Sequence, residues 1–132
     1  MFRTLIVEDS VFYRQLLKDA LHSQFPTIDI FEAPTGKEAF QKVESLNPDL
    51  ILMDIKLPDE SGLELTKKIK TKYPNIILII LTAYDTPEYR EAAYSYKADY
   101  FLSKGTTSKE NILTLVGSIV SGHHNGQNSS IS

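Results

Sequence analysis

Two stretches of this chain are apolar without a break: Leu50-Ile51-Leu52-Met53 and Ile76-Ile77-Leu78-Ile79-Ile80-Leu81. A strand with one face in water alternates apolar and polar residues, so an unbroken run demands burial of both faces. Parallel strands held between helical layers meet that demand. Strand-like runs fall at about residues 3–8, 28–32, 49–54, 76–82 and 99–103, and each is followed by a helical stripe, near 11–24, 36–46, 61–72, 86–96 and 108–121. Such a succession of β-α units predicts an α/β fold on a parallel sheet. Local signals agree. Ser10 is placed to cap the first helix, Pro26 follows its end, Pro48 blocks continuation of the second, and Thr86-Pro87 offers a cap and then a proline at the first helical position.

Nearly every strand also delivers a polar group at its carboxyl end. Glu8 and Asp9 close the first, Asp54 the third and Thr82 the fourth, while Lys104 lies just past the fifth. Ligands of open parallel sheets bind outside these ends, where the connections diverge. Carboxylates from two strand ends make an oxygen-rich site suited to Mg²⁺. A lysine adds a compact positive charge for a phosphoryl group, and a threonine hydroxyl can donate to one of its oxygens. Together these parts describe phosphoryl transfer to a side chain. Singly they say less: a strand-end aspartate often only caps the next helix, and threonine, lysine or an aromatic can serve packing or solvation alone.

Composition narrows the field. A chain of 132 residues with 42% hydrophobic content is one domain with a proper core. Lys and Arg number 14 against 17 Asp and Glu, with no basic run, which argues against direct nucleic-acid binding. Cysteine is absent, so disulfides and thiolate chemistry are excluded. Met1-Phe2-Arg3 runs straight into a strand and no apolar stretch approaches membrane-spanning length, so no membrane association and a cytoplasmic location are expected. Residues 122–132, beginning Gly122-His123-His124-Asn125, lack periodicity and read as a flexible C-terminal tail or the start of a linker, leaving 1–121 as the domain. His22 reads as a surface residue, and His123 and His124 as solvated members of the tail.

The residues now carry a resemblance. Ile6-Val7-Glu8-Asp9-Ser10, Met53-Asp54-Ile55-Lys56-Leu57-Pro58-Asp59-Glu60-Ser61-Gly62, Ile80-Leu81-Thr82-Ala83 and Tyr100-Phe101-Leu102-Ser103-Lys104 resemble the marks of the response-regulator receiver domain of two-component signalling, over about residues 1–121. The spacing is family-like, with 45 residues from Asp9 to Asp54, 28 on to Thr82 and 22 on to Lys104. The resemblance implies a doubly wound (βα)5 flavodoxin-like fold with strand order 2-1-3-4-5. It implies that Asp54 is the phosphoacceptor for a sensor histidine kinase or histidine phosphotransfer protein. Asp9 would bind Mg²⁺ directly, Glu8 through water, and the Lys56 backbone carbonyl would complete the protein ligands. Thr82 matches the switch hydroxyl, Lys104 the phosphate-binding ammonium, and Phe101 the aromatic that turns inward with Thr82. Slow self-dephosphorylation would follow, rather than conventional enzyme turnover.

Other readings of the same residues are open. The chain could be the receiver half of a DNA-binding transcription regulator whose output domain is absent from it. A haloacid-dehalogenase-like hydrolase also uses an aspartyl phosphate, but it needs Asp-x-Asp, and Lys56 holds the second position. A receiver that only binds is disfavoured by the complete acidic set.

Two departures from the family pattern give further expectations. Gly105 follows Lys104 where proline is usual; a cis bond there would cost about 3–4 kcal/mol, against about 0.5–1 kcal/mol before proline, so a trans bond and a looser loop are expected. Lys97 precedes Ala98 where glycine is usual, so Lys97 either takes a positive φ or the helix ends differently. In the family the chain resembles, the positions two beyond Asp54 and Thr82 flank the path of an attacking water; here they are Lys56 and Tyr84, whose bulk should shield the phosphoryl group, although Lys56 could also recruit water. Five of the seven tyrosines, Tyr84, Tyr89, Tyr94, Tyr96 and Tyr100, lie within one short stretch. Some must fill the core. The face around Tyr89, Tyr96 and Tyr100 is expected to be the output surface, binding a downstream protein or a second copy through residues 84–104.

Overall fold

Successive side chains along each strand point to opposite faces of the sheet and sort the core into two layers. In the computed structural model, which describes residues 1–131 with side chains from Met1 to His123, the order is β1 (Arg3–Val7), α1 (Val11–Gln24), β2 (Asp29–Ala33), α2 (Gly36–Leu46), β3 (Leu50–Met53), α3 (Gly62–Lys72), β4 (Ile77–Thr82), α4 (Pro87–Ser95), β5 (Tyr100–Ser103) and α5 (Lys109–Ile131). The strands are all parallel and ordered β2-β1-β3-β4-β5. Leu5, Val7, Ile51, Met53, Leu78 and Ile80 face one side, with Ala39 and Val43 of α2, Leu65 and Ile69 of α3 and Ala93 of α4. Ile6, Leu50, Leu52, Ile79 and Leu81 face the other, with Leu17 and Leu21 of α1 and Ile112 and Val116 of α5. The unbroken runs of β3 and β4 thus serve both layers, each buried side chain contributing about 1.5–3 kcal/mol.

The caps follow the sequence signals. Ser10, Thr35 and Thr86 each accept an N–H from the first turn of the helix they precede, and Pro87 opens α4. α4 ends on Lys97 with φ 74°, so the first of the two expectations holds. The Lys97 N–H reaches the Tyr94 carbonyl and the Ala98 N–H the Ala93 carbonyl, both at 3.0 Å, which is a Schellman closure built on lysine where glycine is usual. No peptide bond among the described residues is cis, so Lys104–Gly105 is trans as expected. The loop there is held rather than loose. Gly105, having the N–H that proline lacks, donates it to Ser103 Oγ at 3.2 Å, and Thr107 N–H bonds the Ser103 carbonyl at 2.9 Å.

The C-terminus differs from the sequence reading. α5 runs past residue 121 through the stretch read as a tail, and the ring of His123 meets Phe2 edge-on at 5.2 Å instead of standing in solvent. An established helix propagates through polar residues at little cost, so the lack of an apolar stripe did not end it. His124 lies outside the described side chains. No helix among the described residues is long and apolar enough to cross a membrane.

Candidate functional site

Glu8, Asp54 and Lys104 each sit one step past a strand and are pinned by the next backbone bond of the ladder. Glu8 N–H donates to the Ala33 carbonyl at 3.1 Å, Asp54 N–H to Val7 at 3.0 Å and Lys104 N–H to Thr82 at 2.8 Å. The sheet therefore fixes where these side chains begin, and the parallel order sets β1 and β3 side by side. As a result Glu8, Asp9 and Asp54 offer oxygens that all lie within 4.8 Å of one another. Glu8 and Asp54 are buried and Asp9 is exposed, which opens the group to solvent on one side only.

Lys104 reaches into this group. Its Nζ is 2.5 Å from Glu8 Oε1 and 3.2 Å from Asp54 Oδ2, and stands 4.1 Å from the centre of the Tyr13 ring. The remaining oxygens are held by backbone: Ile55 N–H donates to Asp54 Oδ1 at 2.7 Å and Ser10 N–H to Glu8 Oε2 at 3.0 Å. Burial pushes the Glu8 carboxyl above its ordinary range even though Lys104 and the Ser10 N–H pull it down. Burial works against the Lys104 ammonium too, but its bonds to Glu8 and Asp54 outweigh this and keep it charged. Burial likewise raises the Tyr13 phenol. Three carboxylates against one ammonium leave two negative charges uncompensated within the group. A hard divalent cation suits such a donor set, so the residues fit Mg²⁺.

The β3–α3 loop completes the surround. Gly62 is required there: a Cβ on it would lie 1.9 Å from the Asp54 carbonyl oxygen. Gly62 N–H bonds the Ile55 carbonyl at 2.7 Å and Lys56 pairs with Ser61, so the chain doubles back directly beneath Asp54. The Lys56 side chain is exposed, its ammonium 5.0 Å from the centre of the Tyr84 ring. Thr82 is fully buried and its Oγ1 accepts the Tyr84 N–H at 3.2 Å. Phe101 is buried, with the Arg90 guanidinium 4.7 Å from its ring centre. Of the tyrosines, Tyr84, Tyr94 and Tyr100 are exposed, while Tyr89 and Tyr96 are half-buried against the core. A broad surface groove lies elsewhere, between α1 and α5, lined in part by Phe12, Leu16 and Leu113. It has no converging acids, so volume does not locate the chemistry here.

Tyr13 and Asp59 escaped the sequence reading. Tyr13 follows the acidic pair by one helical turn, and the Ser10 cap that starts α1 was the available signal for where it would point. Asp59, which lies in the loop before α3, caps a different helix, α2.

Fold and site together define a doubly wound α/β domain with an acidic, lysine-bearing pocket at the carboxyl ends of its strands. Residues 4–116 match the response regulator receiver domain, and the chain belongs to that family. It is 41% identical over 88 residues to a protein-glutamate methylesterase/protein-glutamine glutaminase of Syntrophus aciditrophicus, covering 67% of this chain and 25% of that protein. It is 36% identical over 119 residues to the transcriptional regulatory protein YdfI of Bacillus subtilis, covering 90% of this chain and 55% of YdfI. The CheY-like receiver domain protein of Methanospirillum hungatei superposes with a TM-score of 0.85 at 27% identity, covering 96% of this chain and 98% of that one. The chain thus spans about a quarter to a half of the two curated relatives named.

Proposed function

We propose that residues 1–121 form a phosphoacceptor domain in which Asp54 takes a phosphoryl group from a sensor histidine kinase or histidine phosphotransfer protein. The observation that carries this reading is the convergence of the Glu8, Asp9 and Asp54 carboxylates with the Lys104 ammonium 3.2 Å from Asp54. Mg²⁺ held by the three carboxylates and the Lys56 backbone carbonyl would neutralise charge on the phosphoryl oxygens. A carboxylate oxygen of Asp54 attacks phosphorus, the phosphorus–nitrogen bond of the donor histidine breaks, and its electron pair stays on that nitrogen. Lys104 leaves Glu8 and Asp54 to pair with the phosphoryl oxygens, and the ladder bond at its backbone keeps it in reach. Thr82 Oγ1 turns to donate to another oxygen, giving up the Tyr84 N–H and so loosening the start of the β4–α4 connection. Arg90 and Phe101 then repack, and the change reaches the face that carries Tyr89, Tyr96 and Tyr100, where a downstream protein or a second copy binds. The stacked Lys56 and Tyr84 side chains shield the aspartyl phosphate from water. Such a domain works in the cytoplasm and needs no contact of its own with nucleic acid.

Incubation with acetyl phosphate or beryllofluoride plus Mg²⁺, followed by mass and by amide exchange, tests the reading. Modification is expected at Asp54 alone, Asp54→Asn should be inert, and Asp9→Asn should lose metal dependence. Exchange changes should reach residues 84–104. Modification persisting in Asp54→Asn would sink the site assignment. A second reading, the receiver half of a DNA-binding transcription regulator, is favoured by the 55% of YdfI that the chain spans. A helix-turn-helix in the gene product beyond residue 132 would decide for it.

A further inference from the structure

The first turn of α2 is capped from two sides. Thr35 Oγ1 accepts the Glu38 N–H at 3.1 Å, as an N-cap residue does. The Gly36 and Lys37 N–H groups before it have no acceptor within their own helix. They donate to Oδ1 and Oδ2 of Asp59, at 2.8 and 3.0 Å. Asp59 belongs to the β3–α3 loop, the segment that begins at Asp54 and supplies Lys56. Its two carboxylate oxygens occupy a fork of successive backbone donors, and those bonds hold its pKa below the ordinary carboxylate range. The fit is close as well as polar: a Cβ added to Gly36 would come within 2.5 Å of Glu60 Oε2. The loop tip therefore lies flat on the end of α2.

The inner half of the loop is tied by the Gly62–Ile55 bond and the Lys56–Ser61 pairing. Its outer half is tied by the packing of Leu57 on the core and by the grip of α2 on Asp59. Lys56 is the outermost residue of the inner anchor, so with the tip released only its pairing with Ser61 would still hold its backbone. We infer that Asp59 is a positioning residue: by binding the α2 N-terminus it fixes the loop that presents the Asp54 carboxylate and the Lys56 carbonyl to Mg²⁺. This inference rests on the metal-binding reading above, and it makes the seating of α2 a determinant of how ready the pocket is.

A Mg²⁺ titration of the full chain, followed by the amide NMR shifts of residues 54–57, tests it. Losing one capping interaction from a loop that the metal must then order should weaken Mg²⁺ binding about fivefold in Asp59→Ala. Asp59→Asn keeps an acceptor for only one of the two N–H groups and should weaken Mg²⁺ binding about twofold, between wild type and Asp59→Ala. Thr35→Ala strips α2 of its own cap without touching the loop and should leave Mg²⁺ affinity unchanged. If Asp59→Ala fails to fold, Asp59→Glu misplaces the carboxylate by one methylene and should show a weakening of about twofold to threefold. Wild-type affinity in Asp59→Ala, or in Asp59→Glu where that variant is read instead, overturns the inference. So does equal weakening in Thr35→Ala, which would mean that helix stability alone matters. A wild-type chain without Mg²⁺-dependent shifts overturns the functional reading and this inference with it.

Discussion

Two lysines, one buried and one half-buried, mark opposite ends of the sheet. Lys70, at the end of α3, gives its ammonium to the Pro74 and Ile76 carbonyls at 3.0 and 2.6 Å and to Asp99 Oδ2 at 3.0 Å. Asp99 Oδ2 in turn accepts the Leu78 N–H at 2.9 Å. The three donors of Lys70 have three oxygens, the charges of Lys70 and Asp99 cancel, and nothing there invites a ligand. Lys104 meets two carboxylates and a ring, and the acids around it outnumber it. One lysine closes the amino-end seam between α3, β4 and β5; the other is a placeholder in a charged pocket. The difference lies in the partners. Backbone carbonyls cannot leave, whereas carboxylates can exchange an ammonium for a cation or a phosphoryl group.

The largest expected effect comes from the closed end. Lys70→Met keeps the apolar stem but strands two carbonyls and a partly exposed carboxylate, and should cost about 3 kcal/mol in urea unfolding, at the low end for a broken buried pair. Its Mg²⁺ affinity at temperatures where it remains folded should match wild type. A loss below about 1 kcal/mol would show that the network is dispensable and would remove one side of the comparison.

Lys104→Met should behave in the opposite sense. Without Mg²⁺ the buried Glu8 loses its strongest partner, and stability should fall by about 1–2 kcal/mol. With the competing ammonium gone, Mg²⁺ should bind about tenfold more tightly, a gain of about 1.4 kcal/mol that offsets the deficit once metal saturates. Phosphoryl acceptance should nonetheless drop, since the charge that meets the phosphoryl oxygens is missing. Urea titrations of both proteins with and without Mg²⁺ measure this. Weaker metal binding in Lys104→Met would mean that the ammonium organises the carboxylates rather than competing for them.

What the sequence disclosed follows the same division. Strand-end acids were legible because a parallel sheet fixes where residues at its carboxyl edge must point, and the apolar runs of β3 and β4 announce that sheet. The five strands and the first four helices fell within a few residues of their expected bounds for the same reason, and α5 began where expected but ran on past its expected end. Contacts made by loops across the chain were not legible. Nothing in Pro58-Asp59-Glu60 distinguishes a turn aspartate from one that caps α2 in the preceding β-α unit, since both favour the same residue type. Lys70 is one of four lysines on α3, at positions 67, 68, 70 and 72, and only the seating of that helix separates the buried one from its solvated neighbours. The continuation of α5 past residue 121 was hidden because polar residues neither drive a helix nor stop one.

The smallest expected effect joins the α4 cap to the closed end. Lys97, in the left-handed region at φ 74°, turns the chain so that Ala98 is buried and Asp99 arrives opposite Lys70. Left-handed backbone costs a residue with a Cβ about 1 kcal/mol, and glycine would escape that cost while giving the unfolded chain more freedom to lose. Lys97→Gly should therefore stabilise by a net of about 0.5 kcal/mol, whereas Lys97→Ala, which keeps the Cβ, should be neutral. Because the turn serves the closed end, neither change should alter Mg²⁺ affinity or acceptance at Asp54. Lys97→Ala gaining as much as Lys97→Gly would place the effect in the lysine side chain and not in the backbone. A change in Mg²⁺ affinity would show that the two ends of the sheet are coupled, and would end their treatment as a scaffold and a separate site.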